Sequence, residues 1–366
     1  MNPLLQLHAL GQRVWLDNLS RTLLREGGLQ RLVTEDGVAG VTSNPTIFYK
    51  AMSGSRHYRD ELTALKQDPN LSPEARYEAL AVPDIQAACD VLRPLYDRTG
   101  GEDGYVSLEV SPALAHDAEE TVAAALRLRG RVQRDNVLIK VPATSAGVTA
   151  IEELIGKGVS INVTLMFSLE HVNAVAGAYL RGLERWAREG GELKRVKSVA
   201  SLFLSRVDTL VDQKLESVAA ADRALRGKAG VALAKLAYQE YKKTFTGEKF
   251  APLARRGARA QHMLWASTGT KNPEYSDVLY VEPLIGPETV NTMPDATLAA
   301  FRDHGRAALT LEQDVDVARR HFETLGRLGI DMREVGETLQ GEGVKLFVQS
   351  FDELLALMAQ PATATA

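Results

Sequence analysis

The sequence predicts an α/β fold, a single closed (β/α)8 barrel with additional helices. Three observations point there. Eight short segments are apolar or β-branched for several residues and then end in polar or small residues; helical patterns separate them; no long polar linker interrupts the alternation. Strands alternating with helices imply a parallel sheet covered on both faces. Eight such units favour closure over an open sheet. The predicted domain is one barrel over residues 1–358, followed by a small, polar and disordered tail at 359–366.

In chain order, the predicted strands are Arg13–Asp17, Val38–Asn44, Tyr105–Val110, Val137–Val141, Ser160–Leu165, Lys197–Phe203, His262–Ser267 and Thr289–Met293. Between them, Glu119–Arg129 carries Val122, Ala125 and Leu126 on one helical face, and Leu169–Trp186 and Val231–Phe245 repeat the same i, i+3, i+4 spacing. The long connection from Pro45 to Gly104 must hold several helices, with turns at Asp68–Pro73 and Gly100–Gly104. Cys89, beside Ile85, Ala88 and Leu92, reads as a core residue of one of them. After the eighth strand, Asp314–Met358 predicts two or three helices, the last with Phe347, Phe351, Leu354, Leu355 and Met358 on one stripe.

Composition narrows the function. The 366 residues are 45% hydrophobic and 25% charged, with a formal net charge of -4, which gives no support to nucleic-acid binding. One cysteine excludes an intrachain disulfide, and His116, His171 and His262 lack the spacing of metal ligands. No signal peptide and no apolar run of membrane-spanning length is evident, so a soluble cytoplasmic protein, monomer or homodimer, is expected.

In such a barrel the active site gathers at the C-terminal ends of the strands, where residues two apart share a side. The polar residues ending the predicted strands are Asp17, then Thr42 and Asn44, Glu109, Lys140, Asn162 with Thr164, and Ser201 with Phe203 and the nearby Arg206. Ser267, followed by Lys271, completes the set. Each has a plain structural alternative. Asp17 before Asn18 and Ser20 suits a helix cap, and Asn44 before Pro45 suits a turn. Asn162 and Thr164 suit satisfied core polars, and Lys140 in "NVLIKVPA" suits a lysine reaching out of a strand end. Glu109 is harder to place this way, because a carboxylate inside a strand needs a partner.

Taken together, these groups form coherent chemistry. Desolvation of a lysine favours the neutral amine, which attacks a ketone to form a Schiff base. The iminium then serves as an electron sink for cleavage of the adjacent carbon–carbon bond. Asp17 fits the acid/base that handles a sugar hydroxyl proton, and Glu109 fits activation of a water held by Thr164. Asn44 and Asn162 fit hydroxyl recognition, whereas Arg206, Lys271, Ser201 and Ser267 fit a phosphate pocket.

The segments "GVTSNPTIF", "VSLEVSP", "VLIKVPATSAGVTAIEELIGKGVSINVTLMFS", "SLFLSRVD" and "ASTGTKNPEYSD" resemble the transaldolase family, and the resemblance spans nearly the whole chain. It implies a single TIM barrel that transfers a dihydroxyacetone unit between sugar phosphates in the non-oxidative pentose phosphate pathway, without a cofactor. It also implies that Lys140 is the Schiff-base lysine, Asp17 the acid/base, and Glu109 with Thr164 the pair holding a catalytic water. Asn44, Asn162 and Ser201 match substrate contacts, and Arg206 a phosphate contact. Shorter members carry an arginine soon after the seventh strand; the loop here offers Lys271, which keeps the charge and loses the bidentate fork. The chain is also longer around Met52–Gly104 and at its C-terminus. Three other readings stay open on the residues: an aldolase releasing free dihydroxyacetone, a non-catalytic sugar-phosphate-binding barrel, and a pyridoxal phosphate enzyme. Phe203, where a tyrosine would position a water, favours transfer over the first of these.

Overall fold

The computed structural model describes residues 2–218 and 223–360. Eight parallel strands close into one barrel in chain order, β1 pairing with both β2 and β8. They are β1 (Gln12–Leu16), β2 (Val38–Val41), β3 (Tyr105–Glu109), β4 (Val137–Pro142), β5 (Ile161–Met166), β6 (Ser198–Phe203), β7 (His262–Ala266) and β8 (Thr289–Met293). Every residue of β2 to β6 is buried, because side chains fill the barrel on one face and helices cover the other.

The sequence places the strands within one or two residues of these bounds, with one larger correction. The second strand stops at Val41 instead of Asn44. Asn44 instead caps the helix Pro45–Gly54, its side-chain oxygen accepting from the Ile47 amide, and Pro45 suits the first helical turn. Asp17 lies one residue past β1, although its amide still donates to the Met293 carbonyl at 2.8 Å. It caps no helix, since Ser20 caps Arg21–Arg25.

The long second connection holds Pro45–Gly54, Arg59–Gln67 and the 26-residue helix Pro73–Arg98, in which Cys89 is fully buried. Both predicted turns are turns, except that Pro73 already begins the long helix. Beyond β8 come Asp295–His304, Val315–Arg327 and a 28-residue C-terminal helix, Met332–Ala359. The last helix ends at Ala359, and positions 361–366 of the expected tail lie outside the described residues.

That last helix crosses the C-terminal mouth of the barrel, and two glycines let it come close. A Cβ on Gly336 would sit 2.6 Å from the Ser168 Cβ, and one on Gly343 would sit 2.9 Å from a Leu165 methyl. Of the predicted stripe, Phe347, Phe351, Leu354 and Met358 are buried beneath it, whereas Leu355 is only half-buried. At the opposite end an ionic network closes the barrel: Arg13 pairs with Asp103 at 2.8 Å, while Lys197 and Arg259 both reach Glu102 at 3.0 Å. Among the described residues no helix is long and apolar enough to cross a membrane.

Candidate active site

Strand register alone brings three of the predicted polar residues side by side: Glu109 on β3 pairs with Lys140 on β4, and Lys140 pairs with Asn162 on β5. The Lys140 amine lies 3.4 Å from Glu109 Oε2 and donates to the Ser43 carbonyl at 3.0 Å. Only 5% of Lys140 and 8% of Glu109 is exposed. The amine thus emerges from an apolar strand into a polar setting, since Ile139 and Val141 on either side are fully buried.

A cavity of about 270 Å³ opens above the amine at the strand ends. Asp17, Thr42, Asn44, Lys140, Thr164, Ser201, Phe203, Arg206, Ser267 and Lys271 all line it. Glu109 and Asn162 stand behind this wall. Asn162 is fully buried and spends its amide inside the protein, accepting from Ser201 at 2.6 Å and donating to Ser107 at 3.0 Å. For Asn162 the geometry realises the satisfied core polar, with Ser201 the member of the pair that reaches the cavity.

Asp17 accepts a 2.6 Å hydrogen bond from Thr42, whose hydroxyl also meets Thr292 at 2.7 Å. Burial raises the pKa of Asp17, while the Thr42 hydrogen bond and the charge of Lys140 pull it back. Burial likewise raises Glu109, opposed by Lys140 and reinforced by the charge of Asp17. One buried oxygen here, Thr164 Oγ1, has no hydrogen-bond partner among the described residues, and the buried Glu109 Oε2 has none beyond its ion pair with Lys140. Buried polar groups are nearly always paired, so an orphan hydroxyl and a sparsely bonded carboxylate beside one amine leave hydrogen-bonding capacity for something that enters the site.

The far wall is cationic and aromatic. Arg206 lies 5.7 Å from the Phe203 ring centre, and Phe203 packs on Phe167 at 5.2 Å. Burial lowers the Arg206 pKa from its ordinary value, and among the described residues it forms no ion pair. Ser267, at a φ of 54°, turns the chain at the end of β7 and bonds Ser205 at 2.8 Å, which sets the loop carrying the exposed Lys271 against the cavity.

Comparison with known proteins gives this barrel a family. The model of the family described as Transaldolase/Fructose-6-phosphate aldolase matches residues 14–358. The chain belongs to that family. A transaldolase of Thiobacillus denitrificans is 55% identical over 97% of this chain and 99% of its own length. Those of Neisseria gonorrhoeae and Thermobifida fusca are 49% and 48% identical, over 97% and 98% of this chain and 99% and 98% of theirs. The chain is accordingly an enzyme of the transaldolase type.

Sequence reasoning missed several residues of this cavity. Thr292 ends β8 and would have been found had that strand end been read like the others. Ile47 and Lys50 follow Asn44 at three-residue steps, so the helix it caps turns them toward the same cavity. Phe347 carried no signal of its own, because it belongs to a stripe that reads as core.

Proposed function

We propose that this transaldolase-type enzyme moves a dihydroxyacetone unit from sedoheptulose 7-phosphate to glyceraldehyde 3-phosphate, giving erythrose 4-phosphate and fructose 6-phosphate, through a Schiff base on Lys140. The observation that carries this reading is the buried Lys140 amine at the floor of the cavity, with Glu109 behind it and the Asp17–Thr42 pair on the same wall.

The neutral amine adds to the ketone carbon of the donor. The resulting carbinolamine loses water as a proton reaches its hydroxyl, leaving an iminium. Glu109, ion-paired with the amine, and Thr164, whose buried hydroxyl has no partner among the described residues, are suited to hold the water that relays these protons. Asp17 takes the proton of the C4 hydroxyl as the C3–C4 bond breaks, and the bonding electrons move into the iminium to give an enamine. A carboxyl raised by burial is a better proton carrier near neutrality than an exposed one. The acceptor's aldehyde carbon then bonds the enamine while Asp17 returns the proton to the new hydroxyl, and water releases the ketose. Electrons balance within the two sugars, so the sequence of steps calls for no cofactor.

Arg206 and Lys271, with Ser267, provide the charge for a substrate phosphate, and Ser201 and Asn44 face the hydroxyls. Phe203, packed on Phe167, gives the cavity an apolar wall, which would limit the water able to protonate an enamine. The same reading has the protein acting in the cytoplasm as a monomer or homodimer.

The test is borohydride reduction in the presence of fructose 6-phosphate, with peptide mass mapping. A reduced three-carbon adduct on Lys140 is expected. An unmodified Lys140, or full activity in Lys140→Ala, overturns the proposal. Free dihydroxyacetone released without an acceptor at the rate of transfer would indicate an aldolase instead.

A further inference from the structure

We propose that Gln340, on the C-terminal helix, is a positioning residue for the proton-relay half of the site, an inference that rests on the Schiff-base reading above. Gln340 is buried, and its side-chain amide donates to the Ala143 carbonyl at 2.9 Å and to the Leu165 carbonyl at 3.1 Å. Ala143 directly follows β4, three residues beyond Lys140; Leu165 directly follows Thr164 in β5. One side chain from a distant helix therefore ties together the two strand ends that present the amine and the orphan hydroxyl.

The tie falls where the backbone needs it. Leu165 has a φ of 58°, a region that non-glycine residues seldom occupy, and the β5–β6 register shifts between Val163 and Met166. A strained residue persists only when its surroundings hold it, and the Leu165 carbonyl is held by Gln340 while its side chain packs under Gly343. Relaxing Leu165 turns the preceding residue, Thr164, whose hydroxyl has no partner among the described residues to keep it in place. The Ala143 amide in turn donates to the Thr164 carbonyl at 2.8 Å, so a shift on either strand is passed to the other. Gln340 touches neither amine nor cavity, and it acts through the residues that do.

Two substitutions separate positioning from packing. Gln340→Met keeps the volume and removes both donors. It should lower kcat for transfer from fructose 6-phosphate to erythrose 4-phosphate about tenfold, with a smaller change in KM, and slow borohydride-trapped adduct formation on Lys140 by a similar factor. Gln340→Glu turns a carboxylate toward two carbonyl oxygens, and on protonation it regains one donor. Its kcat relative to wild type should rise about fivefold or more between about pH 8 and about pH 5.5. A packing role predicts a lower melting temperature with no such pH-dependent recovery. If both variants keep kcat within about twofold of wild type, or if the Gln340→Glu ratio is flat with pH, the inference is wrong. Should Gln340→Met not fold, the Gln340→Glu profile decides alone. Failure of the Schiff-base reading is distinguishable, because it shows in the wild type as an unmodified Lys140.

Discussion

Lys140 and Lys197 are both buried lysines at the ends of barrel strands, 5% and 2% exposed, and each has a glutamate beside it. Lys197 sits just before β6 at the closed end. It reaches Glu102 at 3.0 Å and His262 at 3.4 Å, and Glu102 is shared with Arg259. Lys140 sits at the other end, where Glu109 is its ion-pair partner, the Thr164 hydroxyl has no hydrogen-bond partner among the described residues, and a cavity of about 270 Å³ opens above the amine. Burial makes both lysines unusual, yet it does not separate them. What separates them is whether the surrounding polar groups are used up within the protein. At the N-terminal end the charges satisfy one another and seal the barrel. At the C-terminal end satisfaction is left incomplete beside open space, as expected where this fold does chemistry.

Exchanging the two lysines for uncharged residues should break the pair apart most plainly. Lys140→Met removes the nucleophile, and kcat should fall by about 10⁴-fold or more, with the melting temperature within a few degrees of wild type. Lys197→Ala should leave kcat within about threefold while lowering stability by about 2 kcal/mol, from a lost ion pair and a small cavity. Steady-state kinetics and thermal melts on both variants check this. Comparable losses of activity would mean that the two ends are not functionally distinct.

The carboxyls sharpen the contrast next. Glu109→Gln should cost about 10²-fold or more in kcat, since it removes the group that manages carbinolamine protons. Titration carries a sign that can be checked. Asp17 and Glu109 both have raised pKa values in the fold, and the charge of Lys140 lowers each of them. Carbon-13 NMR of the carboxyls in Lys140→Met should therefore find both titrations moved further up. A folded-state pKa above the unfolded one means the fold binds protons more tightly, so the stability from these two groups falls as pH rises from the ordinary carboxyl range through their raised values. Glu102 behaves oppositely. Its pKa is lowered: although burial pushes it up, Lys197 and Arg259 together outweigh that, so its contribution is present above the ordinary range and lost on acidification.

Thr164 offers a smaller and cleaner test. Its hydroxyl is buried and makes no hydrogen bond among the described residues, so Thr164→Val should not lower the melting temperature and is expected to raise it slightly. Activity should nonetheless fall about tenfold, because the water it would hold is lost. Activity unchanged in Thr164→Val would show the orphan hydroxyl to be idle. By contrast Ser201→Ala strands the Asn162 oxygen and should destabilise by about 1–2 kcal/mol.

Much of this was legible in the chain because barrel strands advertise themselves twice, by an apolar run and by the polar residue that ends it. Lys140, Glu109 and Asn162 were readable as neighbours because adjacent parallel strands place equivalent ends side by side. The structure adds what pattern cannot carry. Asn162 and Glu109 retreat behind the cavity wall, although Lys140, Thr164 and Ser201, also within their strands, line it; Asp17, Asn44 and Ser267 lie just beyond their strands and reach the opening. Lys197 looked like an ordinary strand start because its partners Glu102 and Arg259 are far away in sequence. The roof was hidden for the same reason: Gln340 and Phe347 are remote from the strands they cover, and their helix reads only as amphipathic.

The rim lysines give the smallest expected effects. Lys271 and Lys50 are exposed and line the cavity from different sides, one in the loop after β7 and one on the helix after β2. Exposed charges are screened and contribute about 1 kcal/mol or less, so neither should approach the effect of Arg206, which is partly buried and stacked on Phe203. Lys271→Met should raise KM for fructose 6-phosphate about fivefold, and Lys50→Met about twofold, both effects shrinking as salt rises. Lys271→Arg restores the charge and adds a planar fork, so its KM should equal or fall below the wild-type value. If Lys271→Arg instead raises KM as much as Lys271→Met, the loop is recognised by its shape and not by its charge, and the phosphate at this rim is held by Arg206 and Ser267 without it.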